Sequence, residues 1–329
     1  MEEAYTVFAD IYDEFMNNIP YEKWCENVCH ILAEYGRNGG IKSGIIAELG
    51  CGTGVMTRLM SKAGFDMIGI DNSEDMLAIA REENEEAYAD AEAYLKTEEE
   101  FLGTEEEPLE TEEELLETEE EFLPTEASEG LEKTEPGKGI LYLLQDMRDL
   151  ELYGTVDAVI SVCDSMNYLT GNGDLGKVLK KVNLYLERDG LFVFDMKTDY
   201  CYSHILGDSV QYEESEDCSL IWENHYDRES GIHSYDLTMF IAYEDNDTYE
   251  KYKETHIQRA YTVEEVKEAV QEAGMELLAV LDAETLGKPD DKTKRVYYIT
   301  KEKFQKNKKD MQNIGNVMLF GLKEKIISA

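Results

Sequence analysis

Histidine, tryptophan and proline are scarce in this chain, at 5, 2 and 5 of 329 residues. The histidines (His30, His204, His225, His233, His256) are scattered without metal-ligand spacing, so no metal site is expected. Positive charge is also short: 31 Lys and Arg face 73 Asp and Glu, a formal net charge of −42. Such a surface repels phosphate backbones, which disfavours nucleic acid as a substrate. No apolar run approaches the length of a membrane-spanning helix, so no membrane partner is expected. Met1-Glu-Glu-Ala lacks the basic-then-apolar order of a secretory signal. The 6 cysteines are dispersed, which fits reduced thiols and a cytoplasmic chain. Cys25-x-x-x-Cys29 begins a radical-enzyme cluster pattern, but Leu32 stands where its third cysteine is needed. The length leaves room for a sizeable core in one or two domains.

What the chain does have is one organised stretch, Ile45-Ile-Ala-Glu-Leu-Gly-Cys-Gly-Thr-Gly54, running on to Gly69-Ile-Asp71. Ile45 to Leu49 reads as a buried parallel strand broken only by Glu48. Gly50, Gly52 and Gly54 let the backbone turn sharply and let a ligand approach it. Val55, Leu59 and Ala63 then share one helix face, and the free N–H groups at that helix start face whatever lies above the strand. Phe65 to Ile70 is the next strand, ending at Asp71. A carboxylate there can accept hydrogen bonds from two adjacent ribose hydroxyls, so the pattern points to a nucleoside. The dinucleotide fingerprint would need a third glycine at position 55, which Val55 occupies.

The acid-x-G-x-G-x-G spacing of Glu48, Gly50, Gly52 and Gly54, with Asp71 beyond, resembles motif I of the class I S-adenosylmethionine-dependent methyltransferases. The resemblance extends to Tyr5–Trp24, Gln145–Leu150, Cys163–Leu169 and His256–Tyr261. It is similar to a family of mostly uncharacterised methyltransferases from Gram-positive bacteria. The chain is also similar, more distantly, to nucleotide-aminosugar N-methyltransferases, which often carry a histidine where this chain has Tyr168. A tyrosine is a poorer base near neutral pH, which weakens the aminosugar comparison.

This resemblance implies a doubly wound α/β fold with a mostly parallel seven-stranded sheet, and S-adenosyl-L-methionine as cofactor. It lays Glu48, Gly50, Cys51, Gly52 and Gly54 along the methionine part of the cofactor and puts Asp71 on the ribose. Asp146 would accept from the adenine amine, with the Met147 backbone at the ring edge and Cys163 at the end of the fourth strand. Met76 either packs on the adenine or is a plain core methionine. Tyr12, in an N-terminal Phe8-Ala9-x-x-Tyr12-Asp13 helix, either reaches the cofactor or acceptor or simply packs. Asp164, Asn167 and Tyr168 leave the fourth strand beside the transferred methyl group, although Asp164 could instead cap the following turn. Tyr12 and Tyr168 are the candidate catalytic residues, as orienting or polarising groups. The acceptor is expected to be a small molecule. A sensor module of the same fold without turnover and an NAD(P)-dependent oxidoreductase are the rival readings.

The rest of the chain divides by pattern. Residues 1–40 read as a helical lid, and 41–198 with 262–301 as the cofactor-binding core. Residues 82–138 hold 24 acids and 3 lysines, half of the total charge, in repeats such as Thr97-Glu-Glu-Glu-Phe-Leu-Gly and Thr111-Glu-Glu-Glu-Leu-Leu-Glu. Pro108 and Pro124 and the lack of basic partners oppose a coiled coil. The segment reads as an acidic low-complexity insert, disordered or marginally helical, that binds a basic partner, keeps the protein soluble or is simply a tolerated surface insertion. Residues 199–261 alternate with period two and read as an inserted antiparallel sheet covering the acceptor pocket, with His225, His233, His256 and Arg259 on it as surface or structural groups. Residues 302–329 form a basic, helix-patterned tail.

Overall fold

The computed structural model describes residues 19–102, 139–215, 218–242 and 248–303. Tyr12, the acidic repeats of residues 103–138 and the basic tail beyond residue 303 lie outside the described residues. Eleven strands are present among the described residues, seven of them in one sheet. These are β1 (Ile45–Leu49), β2 (Asp66–Asp71), β3 (Leu141–Leu144), β4 (Val156–Ser161), β5 (Leu186–Lys197), β10 (Met275–Asp282) and β11 (Arg295–Glu302). Their order is β10-β11-β5-β4-β1-β2-β3. The first five strands pair parallel, and β11 is antiparallel to both β5 and β10. This is the expected seven-stranded doubly wound sheet.

The apolar runs of β1, β4 and β5 are buried on both faces, as a central parallel strand requires. Alternate residues feed two separate cores. On one face Ile46, Ile160 and Val193 pack with Val28, Ile31 and Leu32 of helix α1 (Tyr21–Tyr35) and with Met56 and Met60 of α2 (Val55–Lys62). On the other face Ala47, Val159, Phe192 and Phe194 pack with Val178 and Val182 of α4 (Asp174–Tyr185) and Val266 and Val270 of α5 (Val263–Glu272). Each fully buried side chain of this size contributes about 1.5–3 kcal/mol. Helix α5 opens with a complete capping box between Thr262 and Glu265.

Strand β5 begins at Leu186 and bulges, with Asp189 at a φ of 60° and the register with β4 shifted between Val156 and Ala158. Gly190 therefore lies inside a bulged strand. Strand β4 stops at Ser161, since Cys163 and Asp164 turn left-handed at φ 63° and 57°. Helix α3 (Glu74–Leu102) runs straight into the acidic segment, so residues 82–102 are helical. Position 82 marks a change of charge without a change of structure, because Ala and Glu are both strong helix formers.

The remaining strands β6 (Val210–Glu214), β7 (Cys218–Asp227), β8 (Ile232–Ala242) and β9 (Tyr249–Arg259) form a second, wholly antiparallel sheet in sequential order. Strand β6 departs from the expected period-two alternation, since all five of its residues are exposed.

Strand order reverses at β1, which pairs with β4 on one side and β2 on the other. In an open α/β sheet that reversal leaves a crevice beyond the carboxyl ends of the strands. The glycine turn stands there.

Candidate functional site

The turn is held from below. Gly50 and Cys51 N–H both donate to the Ile70 carbonyl, at 2.7 and 3.1 Å, so the turn is stitched to β2. Gly50, Gly52 and Gly54 take φ of 69°, 54° and 80°. A Cβ on Gly50 would stand 2.5 Å from the Ser165 hydroxyl oxygen, whereas one on Gly52 would meet nothing within 4 Å. Gly50 packs against the loop after β4, and Gly52 faces open space. Gly50→Ala is therefore expected to destabilise by about 2 kcal/mol or more, from left-handed strain plus the clash. Gly52→Ala should lose only the strain term, about 1–2 kcal/mol. Urea unfolding of the two variants side by side checks the difference. Gly54 caps α2 in the left-handed conformation and sits against Tyr142, out of the crevice.

Two acids flank the turn. Glu48 is 2% exposed, and its carboxylate accepts a hydrogen bond from the Thr57 hydroxyl. Burial outweighs that bond and pushes its pKa from an ordinary 4.5 up to about 8. Between those values the folded chain keeps a proton that the unfolded chain releases. Its contribution to stability is thus complete at low pH and is lost as pH rises through about 8, by a few kcal/mol in total. Glu48→Gln should flatten this profile: near wild-type stability at about pH 4, and a higher melting temperature at about pH 9. Thermal unfolding of both ligand-free proteins across that range checks it.

Asp71, at the last position of β2, accepts from Gly52 N–H at 2.9 Å with Oδ2 and from Ser73 N–H at 2.9 Å with Oδ1. Burial raises its carboxyl, and these N–H donors oppose the rise. The same carboxylate thus sets the turn geometry and starts α3. Met76, in the first turn of α3, is 2% exposed. Beyond β3, Asp146 is engaged by Arg148 through backbone N–H (2.8 Å) and Nε (2.9 Å), which holds its carboxyl below the usual range.

The loop after β4 rests on a buried charge cluster. Asp195 of β5 is fully buried and accepts from Cys163 N–H (3.2 Å) and Asp164 N–H (2.8 Å), pinning the left-handed pair. Arg295 bridges Asp195 and Asp164, the latter at 2.7 Å. Lys197 adds a bond to Asp164 at 2.9 Å, and Gln258 another at 2.8 Å. Burial would raise the Asp164 carboxyl, but the Lys197 and Arg295 charges prevail and hold it at about 2. Burial, reinforced by that carboxylate, lifts the Cys163 thiol to about 12.

These contacts correct the expectation for Asp164 and Asn167. Asp164 makes no side-chain cap and points into the charge cluster. Asn167 is fully buried and ties Lys197 N–H (2.9 Å) to the Arg259 carbonyl (2.8 Å), joining the two sheets. Both hold the loop in place, and neither lines the crevice.

The crevice is a cavity of about 1280 Å³. Glu48, Gly50, Cys51, Gly52, Asp71, Met76, Asp146, Met147, Cys163 and Tyr168 all line it, and Gly54 does not. Its far wall is supplied by β9, through Tyr252, Glu254 and His256. Sequence reasoning set His256 aside and missed Tyr252 and Glu254. The one available signal was that 252, 254 and 256 share a strand face. Tyr168 Oη lies 2.5 Å from Tyr235 Oη and 3.2 Å from His256 Nδ1. The His256 ring stacks on Tyr235 at 4.7 Å and 9°, with its Nε2 at 3.4 Å from Glu254 Oε2.

A glycine turn, a strand-end acid and a polar far wall at the strand-order reversal are the layout of the class I S-adenosylmethionine-dependent methyltransferase fold, which makes S-adenosylmethionine the expected cofactor. Residues 46–107 match a family model described as a methyltransferase domain. The chain is similar to two provisionally named methyltransferases. One, from Geobacillus sp. (strain WCH70), is 29% identical and the match covers 91% of this chain and 100% of that protein. The other, YqeM of Bacillus subtilis (strain 168), is 29% identical, with coverage of 92% and 98%. A crystal structure of an S-adenosylmethionine-dependent methyltransferase from Clostridium acetobutylicum ATCC 824 shares the fold, at a TM-score of 0.66, 21% identity and coverage of 92% and 100%.

Proposed function

We propose that this chain transfers the methyl group of S-adenosylmethionine to a small molecule bound between the glycine turn and β9. The observation that carries this reading is the cavity itself. At about 1280 Å³ it exceeds the roughly 300–1,000 Å³ of a single small-molecule site, leaving room for a cofactor and a second ligand. Its two walls come from different sheets.

Gly50, Cys51 and Gly52 offer backbone to the methionine part of the cofactor, with Glu48 beneath them. Gly54 serves by shaping the turn and capping α2. Asp71 retains lone pairs for the ribose hydroxyls, and Met76 and Met147 offer apolar contact to the adenine. Asp146 keeps lone-pair capacity for the adenine amine, although Arg148 already engages both its oxygens. Cys163 borders the site as a neutral thiol. When bound, the cofactor supplies a methyl group already activated by its sulfonium charge. What is left for the protein is alignment, exclusion of water and placement of a proton. Tyr168, which lines the cavity, is proposed to orient the acceptor, and Tyr12 to approach the same site from the N-terminal segment.

The test is methyl-labelled cofactor incubated with the full chain and a bacterial extract split into small-molecule, protein and nucleic-acid fractions. Label is expected in the small-molecule fraction. Label in either macromolecular fraction would overturn the acceptor class. Cofactor binding without label anywhere would mark a binding module.

A further inference from the structure

We propose that His256 is the proton-holding partner of Tyr168, so that the site takes an acceptor which must lose a proton from an N–H or O–H group. This inference rests on the methyl-transfer reading above and adds a proton path and an acceptor class to it.

A tyrosine hydroxyl by itself is a poor base near neutral pH, because its ordinary pKa is about 10. Tyr168 is not by itself. Its Oη is 3.2 Å from His256 Nδ1 and 2.5 Å from Tyr235 Oη, and both Tyr168 and His256 line the cavity. The register pairs Tyr235 of β8 with His256 of β9, which lays the two rings in a parallel stack 4.7 Å apart. That stack aims Nδ1 at the Tyr168 hydroxyl. Glu254, two residues earlier on the same strand face, places Oε2 3.4 Å from Nε2. The groups against the imidazole are thus Tyr168 from the loop after β4, Tyr235 from β8 and Glu254 from its own strand. The negative charge of Glu254 lies on the Nε2 side and favours the proton there, leaving the Nδ1 lone pair to accept from Tyr168 O–H.

Methylation of an N–H or O–H group adds one methyl cation and leaves one proton to be removed. The acceptor proton moves to Tyr168 Oη as the proton of Tyr168 moves to Nδ1. Tyr168 ends as a neutral phenol, His256 as an imidazolium, and Glu254 faces the new charge. Nothing else is consumed. An acceptor with no proton to lose, such as a thioether, would gain nothing from this arrangement.

The test is ¹⁵N nuclear magnetic resonance of the His256 ring in the full chain with S-adenosylhomocysteine bound. The Nε2–H tautomer is expected, with Nδ1 accepting a hydrogen bond. In Tyr168→Phe the Nδ1 signal should move toward that of a nitrogen without a donor, because the O–H it accepts from is gone. An Nδ1–H tautomer, or an Nδ1 signal that does not respond to Tyr168→Phe, would overturn the proposal. In turnover with protic amines and phenols, His256→Asn should lower kcat about 10²-fold or more. The dissociation constant for S-adenosylmethionine should not change. A wild-type kcat in His256→Asn would also overturn it. If S-adenosylhomocysteine fails to bind, the methyl-transfer reading falls, and the ring-nitrogen signals of the ligand-free chain still judge the Tyr168–His256 pairing.

Discussion

Replacing Arg295 by methionine is expected to destabilise the protein by about 3–5 kcal/mol, the usual loss when one partner is taken from a buried ion pair. Its guanidinium reaches Asp164 Oδ1 at 2.7 Å and also Asp195 Oδ2, and it lies 4.9 Å above the Trp24 ring. Methionine keeps most of the volume, so the loss is of charge. Asp195 is then left as a fully buried carboxylate without a cation, while Asp164 retains Lys197. At about 2–4 °C per kcal/mol for a chain of this size, the melting temperature should fall by about 6–20 °C. Adding Asp195→Asn should recover part of the loss by removing the stranded charge while keeping an acceptor for Cys163 and Asp164 N–H. Thermal unfolding of the single and double variants decides it. A loss under about 1 kcal/mol would show that the cluster is not what holds the loop.

Asp71→Asn should weaken S-adenosylmethionine binding by about 10²-fold or more. The substitution keeps the shape but removes the charge that strengthens each hydrogen bond, a difference of about 1.5–3 kcal/mol per bond to an ionised acceptor. Two such bonds are proposed to the ribose, and two more already hold Gly52 N–H and Ser73 N–H, each at 2.9 Å and on different oxygens. The amide can accept through only one oxygen, so either Gly52 or Ser73, and a ribose hydroxyl with it, loses its partner. Equilibrium dialysis of labelled cofactor against wild type and variant measures the ratio. A ratio near one would place the nucleoside elsewhere.

What the sequence made legible was local. Glu48, the three glycines and Asp71 lie within one strand–turn–helix–strand unit, where spacing alone fixes which groups meet. The seven-stranded sheet followed from the same logic, since buried parallel strands announce themselves as apolar runs. The features that sequence reasoning missed depend on pairing across long separations. Asp164 and Asn167 looked like site residues because polar groups at a strand end usually are. They turned inward because Arg295, far along the chain, supplies the countercharge, and because the Arg259 carbonyl needs a donor. His256 looked like one surface histidine among several. Only the β8–β9 register, which stacks it on Tyr235, and the loop that delivers Tyr168 give it chemistry. The length of α3 was obscured by charge, which says little about backbone conformation where alanine and glutamate alternate.

The central claim is that the crevice at the strand-order reversal binds an adenosyl cofactor. Calorimetric titration of the full chain with S-adenosylhomocysteine tests it most directly. Saturable binding of one ligand per chain is predicted, weakened about 10²-fold or more in Asp71→Asn and retained in His256→Asn, while NAD gives no heat. No binding of S-adenosylhomocysteine, or equal binding by wild type and Asp71→Asn, would contradict the account.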